Sequence, residues 1–75
     1  MTDTVALKQV IEDSGMPKTL IAERAGITRD RLYNILGGLD AKATEIESLA
    51  RVLKLTKARR DAIFFAKNVA SKTTV

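Results

Sequence analysis

The chain has no cysteine and no histidine among its 75 residues, and only one proline. Without cysteine it can form neither disulfides nor thiolate metal sites. Without histidine it lacks the side chain that most often serves as a general base or a zinc ligand. Carboxylates remain, but the sequence arranges no two of them as a convincing catalytic pair. We therefore predict that the protein is not an enzyme and uses no metal or cofactor.

Long apolar runs are also missing. The longest, AIFFA at residues 62–66, is far too short to span a bilayer, and the first residues, MTDTVALKQ, lack the basic-then-apolar layout of a signal peptide. A chain of this length forms one small domain. We expect a soluble intracellular protein with no membrane partner.

The net charge of +4 is distributed unevenly. Residues 17–38 carry four basic and two acidic side chains, and residues 51–75 carry seven and one, whereas residues 1–16 and 39–50 are acidic. A basic surface attracts polyanions, nucleic acid first and acidic membranes second. On charge alone, a surface that only keeps the domain soluble explains the pattern equally well.

The spacing of apolar residues predicts an all-α domain, a compact bundle of about five short helices. The first helix starts near Asp3 and stops at Gly15; Pro17 lies in the first turn of the second, which Gly26 ends. The predicted helices span residues 4–14, 17–25, 28–36, 44–54 and 57–65.

Polar residues with capping chemistry precede the last three helices. Thr28 is the predicted N-cap of the third helix and Thr56 that of the fifth. Thr44 and Glu47 have the spacing of a capping box at the start of the fourth. We assign residues 1–66 to the folded domain, and residues 67–75 to a polar C-terminal tail that frays.

The segment LIAERAGITRDRLYNIL, residues 20–36, resembles the helix-turn-helix of the phage repressor and Cro family. The matching positions are Ile21-Ala22, Gly26, Ile27, Leu32 and Ile35. Further along, EIESLARVLKLT and IFFAKNV are similar to the ends of small Cro-like regulators of prophages. The resemblance implies a lambda repressor-like DNA-binding domain in the cytoplasm of a bacterial cell or a phage-infected host.

The resemblance also implies a function: a transcriptional regulator, acting as a repressor, that occupies a palindromic operator in double-stranded DNA as a homodimer. An α-helix fits the major groove, and its first turns approach the base edges. The positions that match base-reading residues are Thr28, Arg29, Asp30, Tyr33 and Asn34. Lys18 matches a phosphate contact at the start of the second helix, and Arg31 is a further candidate for the DNA backbone.

Several of these residues have a second interpretation. Asp30 could serve only as a partner of the helix dipole or of Arg31. Tyr33 could pack on a phosphate or sugar as well as read a base. Further along, Lys57, Arg59 and Arg60 could contact the DNA backbone or only keep the domain soluble.

Adjacent apolar residues at the end of the fifth helix cannot all face one core from one helix. Phe64, Phe65 and Val69 are therefore candidates for a dimer interface. An alternative function also accounts for these apolar residues and for Leu20 and Leu39, which we expect to be exposed. In that interpretation the protein is an antirepressor, a protein-binding module that keeps the fold but sequesters a partner repressor.

Overall fold

The computed structural model describes residues 1–66 and shows five α-helices in that range, with no β-strand within it. The predicted all-α fold class is confirmed. The predicted contact involving Val69 and the predicted tail at residues 67–75 lie outside the described residues. The helices are α1 (Thr4–Ser14), α2 (Lys18–Ala25), α3 (Arg29–Leu36), α4 (Ala43–Val52) and α5 (Lys57–Phe64).

α1 forms where it was predicted because both of its ends are specified locally. The carboxylate of Asp3 accepts a hydrogen bond from the Ala6 N–H at 3.1 Å, which satisfies one of the free donors of the first turn. Gly15 follows the helix with φ 73°, a left-handed conformation that costs glycine nothing. The helix therefore spans Thr4–Ser14, as the sequence predicts.

The start of α4 differs from the prediction. Lys42, rather than Thr44, is the residue before the helix, and its backbone N–H donates to the Glu45 carboxylate at 2.7 Å. A lysine side chain has no acceptor, so this is only half of a capping box. The predicted box of Thr44 with Glu47 is wrong, because a tertiary contact of Glu45, described below, fixes that side chain at the helix start.

α2 and α4 end in the same way but with different residues. After α2, Gly26 adopts φ 75°, and the Ile27 N–H donates to the Ala22 carbonyl at 3.0 Å. After α4, Lys54 adopts φ 57°, and the Leu55 N–H donates to the Ala50 carbonyl at 2.9 Å. Both are Schellman motifs, which favour glycine at the left-handed position.

The core is one cluster to which every helix contributes. α2 packs on α3 and α4, while α1 packs on α3 and α5. Burying each large aliphatic side chain stabilises the fold by about 1.5 to 3 kcal/mol, and those with essentially no exposed surface are Leu7, Ile21, Leu32, Ile35 and Leu49. In α5, Ile63 and Phe64 complete the cluster.

Candidate nucleic-acid interface

A three-residue connection, Gly26, Ile27 and Thr28, joins α2 to α3. Gly26 turns the chain, and half-buried Ile27 packs against the core. Thr28 then caps α3, since its hydroxyl oxygen accepts a hydrogen bond from the Arg31 N–H at 3.0 Å. The predicted capping role of Thr28 is confirmed. Its hydroxyl keeps its proton and a second lone pair for contact with another molecule.

α3 has one buried face and one exposed face. Leu32, Ile35 and Leu36 lie in the core, as predicted. The predicted base-reading residues of the helix itself all lie on the exposed side, and Tyr33 keeps 48% of its surface open to solvent. We call these residues the outer row: Arg29, Asp30, Tyr33 and Asn34.

The side chains of the outer row make no bond to any other residue that the structure describes. Within residues 1–66, none of its four side chains takes part in a hydrogen bond or an ion pair. Asp30 therefore makes no ion pair with Arg31 in this part of the chain. A guanidinium, a carboxylate, a phenol and an amide thus point into solvent along two turns of one helix.

Arg31 differs from its neighbours because its guanidinium is bound within the domain. Its Nε and Nη2 donate to the two carboxylate oxygens of Glu45 at 2.8 and 2.9 Å. Nη2 also donates to the Asp40 carbonyl at 3.0 Å. Glu45 in turn accepts from the Lys42 N–H, so one carboxylate links α3, the loop after it and the start of α4.

This pair is partly shielded from water, with 28% of the Arg31 side chain and 12% of the Glu45 side chain exposed. The hydrogen bond from Arg31 lowers the pKa of Glu45 to about 2 from its ordinary value of 4.5, although burial acts in the opposite direction. The same hydrogen bond raises the pKa of Arg31. Both groups are therefore charged at any pH near neutrality.

The remaining predicted backbone contacts lie on α2 and α5. Lys18 is exposed in the first turn of α2, where the helix begins after Pro17 without a side-chain cap. Lys57 and Arg59 are exposed on α5, whereas half-buried Arg60 pairs with Asp61 at 3.0 Å. α5 packs against α1 and α4.

The two phenylalanines predicted for a dimer interface have different environments. Phe64 is buried with 2% of its surface exposed, and Phe65 is 51% exposed. Phe64 is thus a core residue, and only Phe65 of this pair is available to a partner. The other apolar candidates also differ: Leu20 is half-buried, and Leu39 is 53% exposed.

Glu45 is the residue of this region that sequence reasoning missed. It is 14 positions from Arg31, so no helical period relates the two. The available local signal was the spacing of Lys42 and Glu45, which equals that of Thr44 and Glu47. Because threonine is a better N-cap residue than lysine, the capping rule selected the wrong pair, Thr44 and Glu47.

Neither a family model, nor a curated protein, nor a solved structure matches the chain. Within residues 1–66, no helix is both long and apolar enough to cross a membrane. No group of three or more potential metal ligands lies in that same range.

Proposed function

We propose that the protein is a sequence-specific DNA-binding transcriptional regulator in which α2 and α3 act as a helix-turn-helix. The observation that carries the proposal is the outer row of α3, exposed and without an intramolecular partner in the described residues. Polar side chains in such a row have their full hydrogen-bonding capacity available to base edges.

Each long polar side chain of the outer row suits a particular base. Arg29 can donate two hydrogen bonds to guanine O6 and N7, and Asn34 can pair with adenine N6 and N7. Asp30 can accept from the amino group of cytosine. Tyr33 adds a large, flat side chain that can rest on a base, a sugar or a phosphate.

Lys18 and the start of α2 would bind the DNA backbone. The first N–H groups of a helix have no partner within it, and the helix dipole makes that end attractive to a phosphate. Pro17 supplies no side-chain cap that would compete for these donors. Lys18 adds a positive charge beside them, so this contact would hold α3 in register without reading sequence.

We further propose that the protein binds as a homodimer. One helix contacts only a few base pairs, and two helices about 34 Å apart would read both halves of a palindrome in successive major grooves. The half-exposed Phe65 is the candidate that we favour for the contact between subunits, because its neighbour Phe64 is committed to the core. As a repressor, the dimer would act by occupying its operator.

A second candidate is the protein-binding module, an antirepressor that captures another repressor. The exposure of Leu39 and Phe65, each about half open to solvent, favours it. Within the outer row of α3, Asp30 argues against it, because aspartate is depleted in protein interfaces, whereas arginine and tyrosine are enriched there. DNA-binding measurements on the isolated protein distinguish the two candidates.

Selection from a random duplex library, followed by titration of the enriched sequence, tests the proposal. A regulator should enrich a near-palindromic motif, and its affinity should fall steeply between about 50 and 200 mM salt as counterions are displaced. Absence of any enriched motif, together with equal affinity for all duplexes, would exclude sequence-specific regulation. No binding to DNA, with capture of a purified repressor instead, would establish the second candidate.

A further inference from the structure

The pairing of Arg31 with Glu45 has a consequence for binding to DNA, and this inference rests on the proposed function. We propose that Glu45 limits the affinity of the protein for DNA: it binds the Arg31 guanidinium and thereby withholds one cation from the phosphate backbone. The expected result is weaker binding to DNA of any sequence, operator and random duplex alike.

The number of donors that Arg31 has already used supports this role. A guanidinium has five N–H groups, and the bonds to Glu45 and to the Asp40 carbonyl occupy its Nε and Nη2 donors. The Nε–Nη2 edge, which could bind a phosphate through two parallel hydrogen bonds, is therefore occupied by the Glu45 carboxylate, and within residues 1–66 only Nη1 keeps unused donors. Arg29, two positions earlier on the same helix, has no such partner in residues 1–66.

Glu45 is held in place independently of Arg31. Its Oε1 accepts the Lys42 N–H at 2.7 Å, and its position in the first turn of α4 favours a negative charge. Because the carboxylate is already oriented, little side-chain freedom is lost when Arg31 binds it. A phosphate of DNA could bind this edge of Arg31 only by displacing the Glu45 carboxylate. The Glu45 side chain is only 12% exposed.

The effect on affinity follows from how phosphate contacts contribute to binding. Each cation that neutralises a phosphate strengthens binding to every sequence alike and adds about 0.9 to the salt slope. Base contacts, together with sequence-dependent DNA shape, distinguish the operator from other DNA. Pairing Arg31 with Glu45 inside the protein therefore lowers the affinity for every sequence by the same factor and leaves the base-reading residues of α3 untouched.

Glu45→Gln is the test, with Glu47→Gln as the matched control. Both replace a glutamate of α4 by its amide and change the net charge equally, but within residues 1–66 only Glu45 pairs with Arg31. Glutamine also keeps an oxygen that can accept the Lys42 N–H. Affinity for a random-sequence duplex is measured over a range of salt concentrations, after circular dichroism has confirmed that each variant is helical.

We expect Glu45→Gln to bind random duplex several-fold more tightly than Glu47→Gln does, with a salt slope steeper by about 0.9. In an Arg31→Met background the same substitution should give no such gain. Equal effects of the two glutamate substitutions, or weaker binding by Glu45→Gln, would overturn the proposal and leave Glu45 a purely structural residue.

A second variant keeps the test valid should Glu45→Gln fail to fold. Arg31→Met in the parent protein should leave the salt slope on random duplex unchanged, because Arg31 does not contact phosphate. A slope lower by about 0.9 would show that Arg31 does bind phosphate and would overturn the inference. If the parent binds no duplex at all, the proposed function itself fails and the inference fails with it.

Discussion

The backbone N–H of Asp3 donates a hydrogen bond to the carbonyl oxygen of Ile63, 2.7 Å away, and so joins the segment before α1 to the last turn of α5. The side chain of Asp3 caps α1 at the same time. Asp3 thus connects the first and last helices of the described chain, and its neighbour Thr2 is buried.

Loss of the Asp3 cap should destabilise the domain. Asp3→Ala removes the acceptor for the Ala6 N–H and should lower the free energy of unfolding by about 0.5 to 2 kcal/mol, while Asp3→Asn should cost much less. Asp13→Ala, which removes an exposed aspartate at the other end of α1, is the control. Urea unfolding would measure all three, and equal costs for Asp3→Ala and Asp13→Ala would contradict a capping role.

The two phenylalanines of α5 should respond differently to truncation. Phe64→Ala leaves a cavity in the core and should cost about 3 to 5 kcal/mol, which a domain of this size barely tolerates. Phe65→Ala should change stability little but reduce self-association and full-site DNA binding. Thermal unfolding with analytical ultracentrifugation would separate the effects. If the Phe65→Ala variant associates like its parent, the interface does not involve Phe65. Leu39 is then the next residue to test.

Stability should depend on pH through Glu45. Its pKa is lowered to about 2 in the folded protein, so the unfolded chain takes up a proton near the ordinary value of 4.5 while the folded one does not. The stability that ionised Glu45 contributes to the fold is therefore complete above about pH 5 and is lost as the pH falls toward 2.

Comparison of the parent with Glu45→Gln measures the contribution of ionised Glu45 to the free energy of unfolding. We expect a difference in the free energy of unfolding on the order of 1 kcal/mol at neutral pH, since water reaches part of the pair. The difference should shrink as acid protonates Glu45. A difference that stays constant from neutral pH to about pH 2.5 would show that the ion pair contributes nothing.

Base-reading and backbone residues should be distinguishable by substitution. Arg29→Ala and Asn34→Ala should each cost about 1 to 3 kcal/mol on the selected site and relax the preference at one base position. Lys18→Ala should weaken binding to all sequences alike and lower the salt slope by about one. If Asn34→Ala preserved the base preference while Lys18→Ala altered it, the proposed orientation of α3 would be wrong.

Lys54 occupies a position that favours glycine. A side chain in the left-handed region costs about 1 to 2 kcal/mol, and glycine recovers most of this but loses more chain entropy on folding. Lys54→Gly should therefore stabilise the domain by up to about 1 kcal/mol, whereas Lys54→Ala should not. Gly26→Ala, at the equivalent position after α2, should destabilise it by about 1 kcal/mol. Denaturant unfolding of the three variants would check these signs.

Local chemistry explains which parts of the fold could be predicted. The ends of α1 follow from Asp3 and Gly15, and the exposed face of α3 follows from the helical spacing of Leu32, Ile35 and Leu36. All these signals lie within one or two turns of the structure that they specify.

Features that depend on distant residues could not be predicted in this way. The start of α4 is set by Glu45, whose partner Arg31 lies on another helix, so a local capping rule selected the wrong residue. The sequence also could not decide between Phe64 and Phe65. Either ring could enter the core from the sequence alone. Which one does so depends on the rotation of α5 about its axis, and the packing of α5 on α1 and α4 sets that rotation.

The bond between Asp3 and Ile63 bears on how the protein acquires its structure during synthesis. On the ribosome, the segment before α1 is made well before its partner in α5, the last of the described helices. Leu7 can meet α3 early, but Ile63 and Phe64 reach the core only when almost the whole described chain has left the exit tunnel. The core is therefore complete only after α5 has emerged, and a nascent chain that stalls before α5 would present an unfinished core to chaperones and proteases.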